Sequence, residues 1–246
     1  MREVRVYSEQ ALSADTTLQL GRQASRHISQ VLRMQPGQSL TLFDGSGSEY
    51  GATIAAISRS AVEVVTGAEQ HADRESPLKI TLWHGLCRAE RMDTVVQKAT
   101  ELGVTTIQPV LNERSIIKLD EKRAAKKTMH WRNIAISACE QSGRNVVPEV
   151  CAPESFQRLL TRMTPHDIAV LLHPSGSEQL TALVANRSPD SVLLCTGPEG
   201  GFSDAETAAA QEAGLTVTVL GPRVLRTETA PLAALSVIQA LAGDLA

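Results

Sequence analysis

Hydrophobic and polar positions follow two different rhythms along the 246 residues of the chain. In roughly the first 70 residues, short segments alternate between apolar and polar side chains, as in 39–43 (SLTLF) and 61–65 (AVEVV). Such alternation predicts β-strands. The sequence Asp44-Gly45-Ser46-Gly47 between these segments is typical of a turn. The first part of the chain is therefore expected to form a small β-barrel.

From Leu78 onward, short apolar runs alternate with helical patterns. The runs cover residues 78–83, 105–110, 168–172, 192–194 and 217–220. Regular alternation of strand and helix predicts a parallel sheet covered by helices on both faces. The polar stretch from His71 to Pro77 separates the two hydrophobic patterns, so we predict two domains, residues 1–73 and 74–246.

Two loops follow predicted strands of the second domain. The first, in the sequence CTGPEGGFSDAE (195–206), is rich in glycine and leads into a helix start, because Ser203 and Glu206 have the spacing of a capping box. The second covers residues 220–231. The carboxyl ends of parallel strands meet at one edge of a sheet, where ligands commonly bind. A ligand site is therefore predicted where these two loops meet.

The loops lack the common phosphate-binding motifs. Neither contains the dinucleotide fingerprint G-x-G-x-x-G, and there is no G-K-[ST] of a P-loop. This disfavours a phosphate cradle and an oxidoreductase that uses nicotinamide. A nucleoside cofactor without phosphates, held by main-chain atoms, suits loops of glycine, proline and small apolar residues. S-adenosylmethionine is one such molecule, although the spacing alone does not single it out.

Composition narrows the class of protein. The polar start MREVRVYSEQ and the shortness of the apolar runs predict a cytoplasmic protein without membrane association. The four cysteines, at positions 87, 139, 151 and 195, are widely spaced without a C-x-x-C pair. That spacing argues against a zinc ribbon or a disulfide framework, so we expect buried free thiols and no metal site.

Charge is unevenly distributed along a chain whose formal net charge is −3. Residues 111–145 carry a charge of +4 and residues 1–34 a charge of +2, whereas residues 190–246 carry −5. This segregation permits a local phosphate-binding face on an acidic protein. A solvated helix surface is the alternative interpretation of each basic run.

Five motifs together resemble a known family. They are KATELGV (98–104), ERS (113–115), EQSGR (140–144), GPEGGFS (197–203) and LGPRVLRTETA (220–230). Any one of them is weak evidence. In this order and nearly end to end along the chain, they closely resemble the ribosomal RNA small subunit methyltransferase E family of the SPOUT superfamily.

The resemblance implies a fold, an activity and partners. The fold is α/β, with a SPOUT-type parallel sheet, a C-terminal trefoil knot and a small N-terminal PUA-like β-barrel domain that binds RNA. The activity is S-adenosylmethionine-dependent methylation of N3 of a specific uridine in 16S ribosomal RNA. The expected partners are 16S ribosomal RNA or the small ribosomal subunit and a second copy of the chain in a homodimer. A non-catalytic RNA-binding ribosome-assembly factor is the alternative function.

The resemblance also assigns the cofactor to the loops at the sheet edge. The implied cofactor-binding residues are Leu172, His173, Thr196, Gly197, Pro198, Glu199, Gly200, Gly201, Leu220, Gly221, Leu225, Arg226 and Thr227.

The chemistry of methyl transfer to N3 gives candidates for catalysis. The imide N–H of uridine is a weak acid, so an enzyme must remove its proton or stabilise the charge that spreads onto O2 and O4. Arg226 is the first candidate for stabilising that charge, with Arg144 or Arg114 second, unless Arg226 pairs with Glu199 or Glu228 instead. Glu199 is a candidate base or an acceptor of backbone hydrogen bonds. The sequence does not identify the general base.

Basic residues from both parts of the chain are candidates for RNA contact. They are Arg5, Arg26, Arg33, Arg114, Lys118 and Arg144. Aromatic residues make up only 3% of the chain, so phosphate contacts are expected to dominate over base stacking.

Overall fold

The protein is described by a computed structural model over residues 4–59, 61–115 and 120–245. The chain divides into two compact units. The first contains the residues up to Glu75 together with Ile136–Val147, and the second contains Ser76–Ala135 and the residues from Pro148 onward. The division after Glu75 lies within the polar stretch 71–77 that separates the two sequence rhythms.

The first unit is built on a five-stranded sheet with the order β1-β3-β4-β5-β2. Its strands are β1 (Arg5–Tyr7), β2 (Thr17–Gln19), β3 (Ser39–Phe43), β4 (Ser48–Ile57) and β5 (Val62–His71). Strands β1 and β3 are parallel, whereas the other neighbours are antiparallel. A short helix α1 (Arg22–Arg26) and a π-helical turn (His27–Val31) follow β2.

The alternating pattern of these strands gives the unit its core. Leu40, Leu42, Ile54, Val62 and Val64 are buried in one cluster. The register between β4 and β5 shifts at two places, which bends the long strands as β-bulges do.

The segment 136–147 joins the first unit although it lies far from it in sequence. It contains the end of helix α3 (Glu121–Ser142) and the loop after it. Glu140 accepts a hydrogen bond from the backbone N–H of Tyr7, with 3.1 Å between nitrogen and oxygen. Arg144 pairs with Glu75, with 2.6 Å between Nη2 and Oε2. The first unit is therefore discontinuous in sequence, which the pattern of apolar residues does not indicate.

The second unit contains a parallel sheet of eight strands. Seven have the order β11-β13-β10-β12-β6-β7-β8, and β9 pairs with the end of β7. Their bounds are β6 Lys79–Gly85, β7 Thr106–Leu111, β8 Glu149–Val150, β9 Glu154–Ser155, β10 Ile168–Leu172, β11 Glu178–Gln179, β12 Ser191–Thr196 and β13 Thr216–Val219. The pairings are parallel throughout. The five predicted strands of this domain are confirmed.

Helices cover this sheet. They are α2 (Ala89–Glu101), α4 (Phe156–Thr161), α5 (Leu180–Ala185), α6 (Asp204–Glu212) and α7 (Thr229–Ala242). Helix α4 contacts α6, whereas α2 and α5 both contact α7. Leu193 and Cys195 of β12 belong to the cluster that includes residues of α4 and α6. Since side chains alternate along a strand, Val192 and Leu194 point to the opposite face.

The cysteines are free thiols. Cys87, Cys139 and Cys195 are buried and Cys151 is partly buried. Burial raises the pKa of Cys87 and of Cys139 to about 12, so both thiols are protonated and unreactive near neutral pH. The expectation of free, mostly buried thiols is confirmed. Among the helices of the described residues, none is long and apolar enough to span a membrane.

Candidate active site

A cavity of about 470 Å³ opens at the carboxyl edge of the parallel sheet. It lies beyond the ends of the adjacent strands β13, β10 and β12, where the loops after these strands meet. It is lined by Arg91, Arg114, Leu172, His173, Pro174, Thr196, Gly197, Pro198, Glu199, Gly200, Gly201, Phe202, Val219, Leu220, Arg223, Val224, Leu225, Arg226, Thr227 and Ala230. Both loops predicted to bind a ligand therefore border a single cavity.

Close backbone packing explains two glycines at this edge. A Cβ on Gly85, the last residue of β6, would lie 2.3 Å from Cδ and 2.4 Å from the backbone nitrogen of Pro198. A Cβ on Gly200 would lie 2.9 Å from Cβ of Arg114. The glycine-rich loop 197–201 is held against its neighbours at distances that no larger residue permits.

Arg114 holds the same loop by hydrogen bonds. Its Nη1 donates to the carbonyl oxygens of Gly200, at 3.3 Å, and Phe202, at 3.0 Å. The Phe202 side chain is buried and packs against Phe156, with 5.4 Å between ring centroids. Burial of a phenyl group contributes about 1.5–3 kcal/mol and anchors the end of the loop. Arg114 therefore acts as a structural clamp here, in a position the sequence assigned to RNA contact or catalysis.

A capping box begins helix α6 immediately after this loop. Ser203 accepts a hydrogen bond from the backbone N–H of Glu206, and Glu206 accepts one from the backbone N–H of Ser203. The helix start predicted from the sequence is confirmed. Glu206 also accepts hydrogen bonds from the side chain of Asn112 and from the backbone of Glu113, so the same carboxylate holds the loop after β7.

Arg91 joins the two loops of the cavity through their carboxylates. Its Nη1 lies 3.2 Å from Oε1 of Glu199, and its Nε lies 3.6 Å from Oε2 of Glu228. The backbone N–H of Arg88 also donates to Glu199 at 3.1 Å. Burial acts to raise the pKa of Glu199, but these hydrogen bonds and the nearby positive charges outweigh it and hold the pKa below its ordinary value. Glu199 is thus an ionised acceptor and a weak base.

A buried histidine supports the cavity wall from behind. His84 is completely buried at the end of β6, and its Nδ1 lies 2.8 Å from Oγ1 of Thr196, which lines the cavity. Its Nε2 lies 3.6 Å from Sγ of Cys87. Burial lowers the pKa of His84 to about 4, although the charge of Glu199 acts in the opposite direction. His84 is therefore neutral near pH 7 and serves as a hydrogen-bonding wall.

Arg226 and Arg223 line the cavity with exposed side chains. The carboxylates that were possible partners, Glu199 and Glu228, pair with Arg91 instead. Within the part of the chain that the structure describes, Arg226 forms no ion pair with either of them. The guanidinium group of Arg226 therefore remains available to a ligand or substrate.

The structure brings together nearly all of the predicted cofactor residues. Each of them lines the cavity except Gly221, which borders a smaller hollow beside Pro222. Arg91 was missed by sequence reasoning as part of the site. It lies shortly after the end of β6, at the same sheet edge as the two loops, and this position was the available signal.

The predicted RNA-binding and second catalytic residues are dispersed. Arg5 and Arg144 lie in the first unit with buried side chains, 8% and 4% exposed, paired with Glu49 and Glu75. These buried ion pairs leave Arg5 and Arg144 poorly placed to contact a phosphate or a substrate, and their roles in RNA contact and catalysis stay predictions. Arg26 and Arg33 are exposed in the first unit. Lys118 lies outside the described residues.

The cavity fits a nucleoside cofactor. Its volume lies within the range of small-molecule sites, and its walls combine apolar side chains with exposed main-chain groups. A side chain at Gly201, where φ is +65°, would meet no protein atom within 4 Å, so bare backbone borders the cavity there. Among the described residues, no cluster of three or more histidine, cysteine, aspartate or glutamate side chains is arranged to hold a metal ion.

Comparison with known proteins assigns the chain to a family. Residues 74–239 match the family described as RNA methyltransferase domain, and residues 20–66 match the RNA methyltransferase PUA domain. The chain is 36% identical to the ribosomal RNA small subunit methyltransferase E of Bacillus subtilis, over 94% of this chain and 93% of that protein.

Two solved structures are similar over the whole chain. A methyltransferase of Legionella pneumophila, solved with the cofactor SAM, is 41% identical with a TM-score of 0.95. The ribosomal RNA small subunit methyltransferase E of Neisseria gonorrhoeae, bound to S-adenosylmethionine, is 39% identical with a TM-score of 0.92. Each comparison covers 100% of both chains. With its PUA-like first unit and its parallel α/β second unit, the chain belongs to the ribosomal RNA small subunit methyltransferase E family.

Proposed function

We propose that this chain catalyses the S-adenosylmethionine-dependent methylation of N3 of a specific uridine in 16S ribosomal RNA. The observation that carries the proposal is the cavity of about 470 Å³ between the loops after β12 and β13. Family membership and the cofactor named for the two whole-chain structural relatives support the same function.

The cofactor is held mainly by the main chain in this proposal. S-adenosylmethionine, when bound, supplies an electrophilic methyl group on a sulfonium centre. The loops 172–173, 196–201 and 220–227 border the cavity with backbone amides and carbonyls. The hydrogen bond from the Thr227 hydroxyl to the carbonyl oxygen of Gly197 keeps two of these loops together. The bound nucleoside is thereby positioned without a phosphate-binding motif.

Arg226 stabilises the developing charge of the target base. The imide of uridine spreads negative charge onto O2 and O4 as its proton leaves, and a guanidinium group offers several N–H donors in one plane. Arg226 is exposed at the cavity and is not engaged by Glu199 or Glu228. Its role is to lower the energy of the uridine anion.

Glu199 acts as a fixed acceptor, not as the proton-removing base. Hydrogen bonds and the positive charge of Arg91 hold its pKa below the ordinary value, so it has little affinity for a proton near neutral pH. A carboxylate held in this way orients donors on the cofactor or the base. The proton from N3 passes to solvent as the charge on the base is stabilised.

Further parts of the proposal concern the assembly of the protein. The family resemblance implies a homodimer, a trefoil knot formed with the loop 220–231, and action on 16S ribosomal RNA or the small subunit in the cytoplasm. Size-exclusion chromatography with light scattering tests the dimer directly, since a monomeric mass at micromolar concentration would contradict it.

A two-step experiment tests the function. Calorimetry with S-adenosylmethionine and S-adenosylhomocysteine should show binding of one molecule per chain. Incubation with small subunits that lack the modification should then produce one 3-methyluridine per 16S ribosomal RNA, identified by mass spectrometry of nucleosides. Binding without methyl transfer would favour the non-catalytic assembly factor, and absence of binding would refute both the site and the function.

A further inference from the structure

The first unit carries a basic groove that is separate from the cofactor cavity. Three arginines, Arg22, Arg26 and Arg59, line it. Arg22 and Arg26 belong to α1, and Arg59 lies in the turn between β4 and β5. All three side chains are exposed. One acidic residue, Glu9, also borders the groove, so positive charge predominates there.

These arginines differ from three others of the same unit. Arg5 and Arg74 pair with Glu49, and Arg144 pairs with Glu75. Within the described part of the chain, none of the three groove arginines forms an ion pair. The three groove arginines are therefore available to an external anion.

The arrangement of the groove arginines is unfavourable without a ligand. Arg22 and Arg26 are four residues apart on α1 and therefore lie on the same face, where like charges repel. Arg59 adds a third positive charge from another element. Basic side chains clustered on one face are typical of surfaces that bind nucleic acids.

The rest of the lining indicates what kind of anion binds. It is mainly polar, with Gln19, Gln23, Ser29, Gln30 and Ser58 among the lining residues. Amide and hydroxyl groups together with arginine are the usual partners of phosphate and sugar in nucleic acids. The groove contains no phenylalanine, tyrosine or tryptophan, so it offers no platform for stacked bases.

We propose that this groove binds the sugar-phosphate backbone of the substrate ribosomal RNA through Arg22, Arg26 and Arg59, without reading its base sequence. The inference rests on the proposed function, because it takes ribosomal RNA as the substrate. It goes beyond that function by assigning the contact to one groove and to backbone recognition. It keeps Arg26, which the sequence already predicts to contact RNA, and adds Arg22 and Arg59 to it.

The test uses the full chain with all three arginines replaced, as R22A/R26A/R59A. The matched control is K79A/R162A/R187A, which removes the same charge from exposed side chains near the amino ends of β6, β10 and β12. Binding to protein-free 16S ribosomal RNA is measured at several salt concentrations, and cofactor binding is measured by calorimetry. Thermal unfolding checks that both variants are folded.

The expected result is weaker RNA binding by the groove variant alone. Its affinity should fall at least about tenfold at physiological salt, and the slope of log affinity against log salt should decrease by about 2, since each phosphate contact contributes about 0.7 for single strands. Cofactor affinity should be unchanged. The charge-preserving variant R22K/R26K/R59K should keep most of the RNA affinity.

Other outcomes overturn the proposal. Equal losses of RNA affinity in the groove variant and the control would show that the effect comes from net charge and not from the groove. A loss seen with assembled subunits but not with protein-free RNA would assign the groove to an acidic ribosomal protein. If the wild-type protein binds the cofactor and methylates RNA, and the groove variant binds RNA with the same affinity, this inference fails and the proposed function stands. If the wild-type protein neither binds the cofactor nor methylates RNA, the proposed function itself fails.

Discussion

The hydroxyl of Thr227 donates a hydrogen bond to the carbonyl oxygen of Gly197, with 2.9 Å between the two oxygens. Thr227 is buried, and the bond joins the loop after β13 to the loop after β12. Two loops separated by about one helix and one strand in sequence are thereby fixed as the opposite walls of one cavity.

The variant T227A should weaken cofactor binding. Loss of the bond leaves a carbonyl without a partner and loosens both loops, at a cost of about 1 kcal/mol, or about fivefold in Kd. Calorimetry measures the change. T227S should retain most of the affinity, and S236A, which removes a hydroxyl-to-carbonyl bond of the same length from the exposed side of α7, should have no effect on Kd. Equal affinities for T227A and S236A would contradict the role of this bond.

The variant G85A should disrupt the glycine-rich loop. The added Cβ would lie 2.3 Å from Cδ of Pro198, so the loop must move away from β6. We expect a loss of about 1–3 kcal/mol in the free energy of unfolding and weaker cofactor binding. Chemical denaturation and calorimetry provide the two values. G51A is the control, because a Cβ there meets nothing within 4 Å. Wild-type behaviour of G85A would show that the packing is looser than the structure indicates.

The variant R226A should lose catalytic rate while keeping cofactor affinity. Removal of a preorganised donor to a developing anion lowers kcat on the order of 100-fold. The residual rate should increase with pH more steeply than that of the wild type, because solvent must then remove the imide proton unaided. Methyl transfer to small subunits from pH 6.5 to 9 tests both statements.

The variant R223A separates the catalytic role of Arg226 from a general effect of positive charge on RNA binding. It removes the same charge from the same cavity loop. We expect a smaller loss of kcat for R223A than for R226A. Similar losses and similar pH profiles for the two variants would remove the specific role of Arg226.

The buried His84 should make stability depend on pH. An unfolded histidine takes up a proton as the pH falls through about 6.5, whereas folded His84 does so only near pH 4. Its effect on stability is therefore absent above about pH 6.5, and the folded state loses up to roughly 3 kcal/mol as the pH falls from 6.5 to 4.

Urea denaturation between pH 4.5 and 7.5 measures this dependence. The slope should be smaller in H84N, which has no titrating imidazole at this position, than in the wild type. If H84N does not fold, an NMR titration of the wild-type histidines decides instead, because a His84 that takes up its proton near pH 6.5 would exclude a buried neutral imidazole.

Local patterns in the sequence predict the strands and the position of the site. The strands β6, β7, β10, β12 and β13 are buried on both faces. They are therefore visible in the sequence as continuous apolar runs. The loops at 197–201 and 220–227 then meet because parallel strands share one carboxyl edge. Ser203 and Glu206 form a capping box that spans only four residues, so the start of helix α6 is visible in the local sequence.

Long-range partners leave no such signal. Arg144 pairs with Glu75 across 69 residues, and Arg91 bonds Glu199 across 108 residues. An arginine that binds a phosphate and one that neutralises a buried carboxylate look alike in sequence. The sequence predicts RNA contact for Arg5, Arg26 and Arg144 alike, and the structure is needed to separate the buried, paired Arg5 and Arg144 from the exposed Arg26.

The return of Ile136–Val147 to the first unit limits how this chain can be divided. A fragment that starts at Ser76 would contain Arg144 without Glu75 and Glu140 without the backbone of Tyr7. A single cut after residue 75 therefore does not yield two complete structural units. Expression of either side of that cut alone is accordingly expected to give a fragment with unpaired charged groups.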